Sequence, residues 1–136
     1  MAEIYAENFE VEQTSQLEAG TVVVFNDQAR LAESFKAYDR RVAGIVAADD
    51  GHQQGLVPQR RGAANRLPVA LVGRAYCKVD AAWGDVEVGD LLTTSPTPGH
   101  AMRADDATRS IGTVIGKALA RLDDGPGLIP VLVARQ

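Results

Sequence analysis

The chain has 136 residues, of which 46% are hydrophobic and 24% charged, and its net charge is −4. That length suits a single domain, 1–136, with a core that needs neither disulfide nor metal to hold it. The acidic, mixed charge removes any electrostatic case for nucleic acid or anionic membrane as partner, and 5% aromatics leave few platforms for stacking bases.

The first residues, MAEIYAENFEVE, are acidic and have neither a basic start nor an apolar core, so they do not read as a secretory signal. No apolar run approaches the roughly 20 residues that span a bilayer. The expectation is synthesis in the cytoplasm, with later incorporation into a virion or phage-like particle leaving no mark in the sequence. Apolar runs are short, rich in β-branched residues, and bounded by Gly, Asp, Asn or Pro, which is the signature of strands. It predicts strands at 7–12, 21–26, 41–47, 68–79, 90–94, 100–103, 112–119 and 128–134. Segment 28–38 alone has helix-like composition. Lacking a strong cap, it is read as a short strand or one helical turn. Pro and Gly fall mainly between these runs, as hairpin chemistry requires. The fold class is therefore all-β, a compact barrel or sandwich.

An internal repeat runs through the prediction, spanning about 17–74 and 86–135. Glu18-Ala19-Gly20 launches one strand and Glu87-Val88-Gly89 launches another. Val42-Ala43-Gly44-Ile45 is answered by Val114-Ile115-Gly116-Lys117, and Pro68-Val69 by Pro130-Val131. Glycine inside a β-branched strand marks a bulge or a close backbone approach. Gly20, Gly44, Gly89 and Gly116 are thus structural glycines. Two such strand-turn-strand modules, each too small for a core of its own, would bury their apolar faces together.

No catalytic, cofactor or metal site emerges. Cys77, the single cysteine, lies in an apolar run and reads as a small buried hydrophobe. His52 is flanked by Asp49 and Asp50, but no further His or Cys lies at metal spacing. Ser95 and His100 share one turn ahead of Asp105 and Asp106, yet two prolines and a glycine make that segment a hairpin loop rather than a nucleophile elbow. Glycines never form a phosphate-binding pattern. The long polar segment 49–66 carries Arg60 and Arg61, suited to a partner's carboxylates. It is either a contact loop or a merely solvated one. With Trp83 beside Tyr76 as a platform, the same loop offers an alternative reading as a carbohydrate- or peptide-binding module. Candidate interaction residues are His52, Arg60, Arg61 and Trp83.

Ordered landmarks also carry a resemblance: Tyr5-Ala6-Glu7-x-Phe9-Glu10, Glu18-x-Gly20, Asp39-x-x-Val42-x-Gly44-Ile45-Val46, Gly73-Arg74 and Gly89-Asp90. Together they resemble the C-terminal domain of phage neck-appendage and tail-spike proteins, known as the intramolecular chaperone or peptidase G2 domain. Residues 88–102 are similar to a segment of bacterial domains that stand alone or end fibrous chains. The resemblance implies a β-rich domain that trimerises and guides the folding of attached fibrous segments, and that in phage cleaves itself off. Cleavage there falls upstream of the matching Tyr-Ala-Glu. With four residues before Tyr5, the expectation is that nothing is released, and no catalytic residue carries over. The expected function is a non-enzymatic, homo-oligomeric structural protein, a trimer serving as cap, connector or decoration of a phage-like or fibrous assembly. An autoproteolytic chaperone domain is the remaining alternative. Expected partners are the chain itself and a fibrous or particle protein.

Overall fold

The computed structural model of the chain describes residues 4–12, 17–48 and 66–134. Nine strands follow in order: β1 (Tyr5–Glu10), β2 (Val22–Phe25), β3 (Leu31–Glu33), β4 (Val42–Val46), β5 (Arg66–Asp80), β6 (Leu91–Thr94), β7 (Ala101–Arg103), β8 (Val114–Ala118) and β9 (Pro126–Val133). The all-β expectation holds, and the predicted strands lie within a few residues of those observed. Segment 28–38 contributes β3, not a helical turn. The Asn26 carboxamide accepts hydrogen bonds from the Gln28 and Arg30 amides at 2.9 and 3.0 Å, turning the chain so that Leu31 is fully buried. Two short helical pieces, at Ala81–Trp83 and Ala107–Ser110, were not expected; the carboxylates of Asp80 and Asp106 cap them.

The long β5 organises everything else. Its first half, 66–72, pairs with β1 and β4, and its second half, 73–80, with β9 and, at Val79, with β7. Following the ladders gives two closed rings. One runs β5–β7–β6–β8–β9 and back to β5. The other runs β1–β5–β4–β2–β3 and returns to β1 through the parallel bridge Val11–Leu31. The molecule is two small five-stranded barrels sharing one strand, an arrangement that leaves few open edges.

Their registers correspond step by step. Val22 pairs with Ile45, Val23 with Gly44 and, after a bulge, Val24 with Val42; Leu91 pairs with Lys117, Leu92 with Gly116 and, after a bulge, Thr93 with Val114. Val46 pairs with Val69 as Ala118 does with Val131, and the parallel closure Val11–Leu31 matches Val79–Ala101. These matches align β1 with the second half of β5 as well, carrying the correspondence beyond 17–74 and 86–135. Loop bonds match too: the Gly20 amide donates to Val46 O and the Gly89 amide to Ala118 O, both at 2.8 Å. The bulge glycines are needed for space. A Cβ on Gly44 would meet the Ala70 carbonyl oxygen and a Val69 methyl at 2.8 Å, and a Cβ on Gly116 would run into the Leu132 carbonyl.

Each barrel has its own interior. Val11, Val23, Leu31, Val46 and Val69 fill the first; their counterparts Val79, Leu92, Ala101, Ala118 and Val131 lie in the second. The second core takes in more than its own strands. Val22, Ile45 and Ala70, on the outer face of the first barrel, are fully buried in it, and Ala6 packs against it. They form one cross-strand row, Ala6–Ala70–Ile45–Val22. Burial of Val22 and Ile45 contributes about 2 kcal/mol each. Backbone bonds lock the same seam: Lys78 N–H to Gly20 O and Val22 N–H to Gly99 O at 2.9 Å, and Gly99 N–H to Ser34 O at 2.8 Å. Buried Asp39 N–H donates to the Thr94 hydroxyl at 2.7 Å, and the Tyr38 hydroxyl accepts from the Asp105 and Asp106 amides at 3.0 Å.

Candidate interaction surface

Where the first barrel presents Ala6–Ala70–Ile45–Val22 to the second, the second presents the matching row Arg74–Leu132–Lys117–Leu91 outward. All four are exposed, Leu132 at 44% and Leu91 at 39%. The neighbouring cross-strand positions on β5 and β9 add Tyr76, opposite Pro130, and Leu128, opposite Lys78. Tyr76 and Leu128 are 60% and 56% exposed. The face is thus apolar with cations interspersed, and several large side chains on it are exposed together. Neither Arg74 nor Lys117 has an ion-pair partner among the described residues. Lys78 is engaged, holding Glu18 at 2.9 Å and keeping that carboxyl below its ordinary range.

Of the residues singled out from sequence, His52, Arg60 and Arg61 lie outside the described residues, as does segment 49–66 apart from Arg66, which begins β5. Trp83 sits on the helical turn after β5, 48% exposed. Its indole N–H donates to the Thr97 hydroxyl at 2.9 Å, which donates to Asp80 at 2.7 Å. Asp80 also accepts from Ala82 N–H at 2.9 Å, so the trio ties the turn to the 95–100 hairpin. The Thr97 hydroxyl, and then the Ala82 amide, hold the Asp80 carboxyl below its ordinary pKa. The ring contact formed among the described aromatics is Phe9 edge-on to Phe25 at 5.4 Å; Trp83 and Tyr76 are not brought together as a platform.

The Ser95 and His100 side chains serve the same hairpin. The Ser95 hydroxyl donates to the His100 carbonyl at 2.7 Å, and the His100 ring contacts the Pro98 carbonyl through Nδ1 at 2.8 Å. Asp105 binds Arg103 and Asp106 caps a helical turn, so neither carboxylate orients the imidazole. Cys77 is fully buried in the second core, and burial pushes its thiol pKa far up, away from any nucleophilic role. Among the described residues, no cluster of His, Cys, Asp or Glu could hold a metal ion, and no helix is long and apolar enough to cross a membrane.

Sequence reasoning overlooked Leu91, Lys117, Leu132 and Arg74. The signal was present in the alignment of the two halves, which sets Lys117 at the position that Ile45 holds in the first half. No family model and no curated protein matches the chain. Among solved structures, the chain is similar to the head fibre gp8.5 N base of bacteriophage phi29, with 97% of each chain covered, 21% identity and a TM-score of 0.46.

Proposed function

We propose that this chain is a non-enzymatic structural protein, a self-associating pair of duplicated β-barrels that caps, connects or decorates a larger phage-like or fibrous assembly. The observation that carries this reading is the exposed row Arg74–Leu132–Lys117–Leu91 with Tyr76 and Leu128 beside it. A monomer has little reason to keep large apolar side chains together on a sheet face. The local chemistry agrees: Ser95, Asp80 and Trp83 use their side-chain polar atoms to hold turns, and His100 contacts the Pro98 carbonyl through Nδ1. The sequence resemblance to phage intramolecular chaperone domains supports a homotrimer as the oligomer and a fibrous or particle protein as the partner.

Sedimentation or light scattering on the purified chain tests the reading. The expected solution mass is three chains; a monomer at micromolar concentration sinks it. Intact mass held unchanged over days at 37 °C is expected of a chain that does not cleave itself, and a discrete truncation would point to the autoproteolytic alternative.

A further inference from the structure

The internal seam is a plug in a socket. The open end of the second barrel is lined by Ala75, Cys77, Ile115 and Val133, all buried, and the row Ala6–Ala70–Ile45–Val22 packs into the same cluster. The matching positions at the open end of the first barrel are Glu7, Phe9, Ala43 and Leu71, through the registers Glu7–Val69 against Ala75–Val131 and Phe9–Leu67 against Cys77–Ile129. None of those four is buried, and Glu7 is exposed. They border a cleft of about 450 Å³ beside the seam, with Phe25 on one wall and the second barrel's Val114, Ile115 and Val133 on the other. The second barrel's four positions are buried, whereas in the first barrel Phe9, Ala43 and Leu71 pack against its core from the side of the cleft and stay partly exposed. Conversely, the first barrel's plug is used and the second's, Arg74–Leu132–Lys117–Leu91, is free.

Charge distinguishes the free pair from the used pair. Inside the chain both sides are apolar: Ala6 and Ile45 on the plug, Ala75 in the socket. On the free plug those positions are Arg74 and Lys117, and in the free socket the position of Ala75 is Glu7. The cations and the acid each have no ion-pair partner among the described residues. Other charges would meet at the rim: Glu87 and Glu10 take the places of Glu18 and Lys78. Glu10 already holds Arg30 at 3.2 Å, which offsets that same-sign pair.

We infer that a second copy of this chain is the occupant: the row Arg74–Leu132–Lys117–Leu91 of one copy docks into the Glu7 cleft of the next. The contact is heterologous, repeating between copies the plug-and-socket contact made within each, and it closes into a ring when its rotation allows. This inference rests on the self-associating reading above and assigns it a surface.

The test compares solution mass and dissociation constant for the full chain and three variants: Arg74→Glu with Lys117→Glu, Glu7→Lys alone, and all three together. All the altered side chains are exposed, and a melting curve for each variant checks that it folds. Expected is at least a tenfold weaker association for the first two and recovery toward wild type in the triple variant, with wild-type association weakened by added salt. A monomeric wild type overturns the oligomer reading itself. An oligomer whose dissociation constant is unmoved by Arg74→Glu with Lys117→Glu overturns this inference alone. Loss of association that Glu7→Lys does not recover overturns the assignment of the Glu7 cleft as socket.

Discussion

Replacing Gly116 by alanine places a methyl group against backbone, not against a side chain that can swing aside. The new Cβ would run into the Leu132 carbonyl oxygen, with the Leu132 carbonyl carbon at 2.9 Å and Val133 Cα at 3.0 Å. Both belong to β9, which is held by β8 on one side and β5 on the other, so relief means breaking a ladder that closes the second barrel. Overpacking of a closed core costs about 1–3 kcal/mol, and with no side chain to yield the upper end applies, about 3 kcal/mol. With a urea slope of about 2 kcal/mol/M, that lowers the unfolding midpoint by about 1.5 M. The melting temperature should fall by about 10 °C. Gly125→Ala is the matched comparison: its backbone is left-handed at φ +61, but an added Cβ meets nothing within 4 Å. It should cost only the conformational penalty, about 1 kcal/mol. If urea titration finds Gly116→Ala no less stable than Gly125→Ala, the close approach of β8 and β9 is not what requires glycine here.

Three further outcomes follow from polar groups near the seam. Thr94→Val keeps the shape but removes the acceptor of the buried Asp39 N–H, and should cost about 2 kcal/mol in denaturant titration. Ser34→Ala should do the reverse, gaining about 1 kcal/mol, because the Ser34 hydroxyl is fully buried with no partner among the described residues. The Asp80 carboxyl titrates below its ordinary value in the folded chain, so the unfolded chain binds its proton first as pH falls. Its contribution is complete above the ordinary carboxylate range and is lost below about pH 4; Asp80→Asn should flatten the decline in melting temperature between about pH 5 and 3.

Strand positions were legible because each apolar run is short and framed by turn residues, and a period of two leaves little freedom in where a strand lies. Leu31–Glu33 was ambiguous for a physical reason: Ala, Arg, Leu and Glu around it are good helix formers, and the Asn26 turn, the β2–β3 pairing and the Val11–Leu31 bridge override them. The glycines were legible as bulges, since a lone Gly among Val and Ile has few other uses. The shared strand was not. Residues 68–79 read as one long run, and nothing in its pattern says that the strand, observed at 66–80, serves two barrels. Val69 fills the first barrel and Ala75, Cys77 and Val79 the second, with Gly73, at φ +115, lying between the two sets. The sequence also drew attention to Trp83 as a conspicuous aromatic, whereas the exposed row is made of ordinary residues whose meaning depends on their cross-strand neighbours.

The positions where the two barrels differ carry more information than those where they agree. Val69 and Val131, or Val11 and Val79, satisfy the same requirement of a small barrel interior, and any β-branched residue would do. Ile45 and Lys117 occupy the same register on the same outer face, yet one is fully buried and the other exposed. A lysine in place of Ile45 would have to lose its hydration inside the second core, and an isoleucine at 117 would add to an already apolar surface. Each residue therefore suits a different neighbour: a barrel covalently attached at Ile45, and water or a separable partner at Lys117. A contact that must form and release between copies gains from charge, which speeds encounter and rejects wrong partners, while one that never opens is better apolar. The substitution of Arg74 and Lys117 for Ala6 and Ile45, matched by Glu7 for Ala75, has the sign such a separable contact requires.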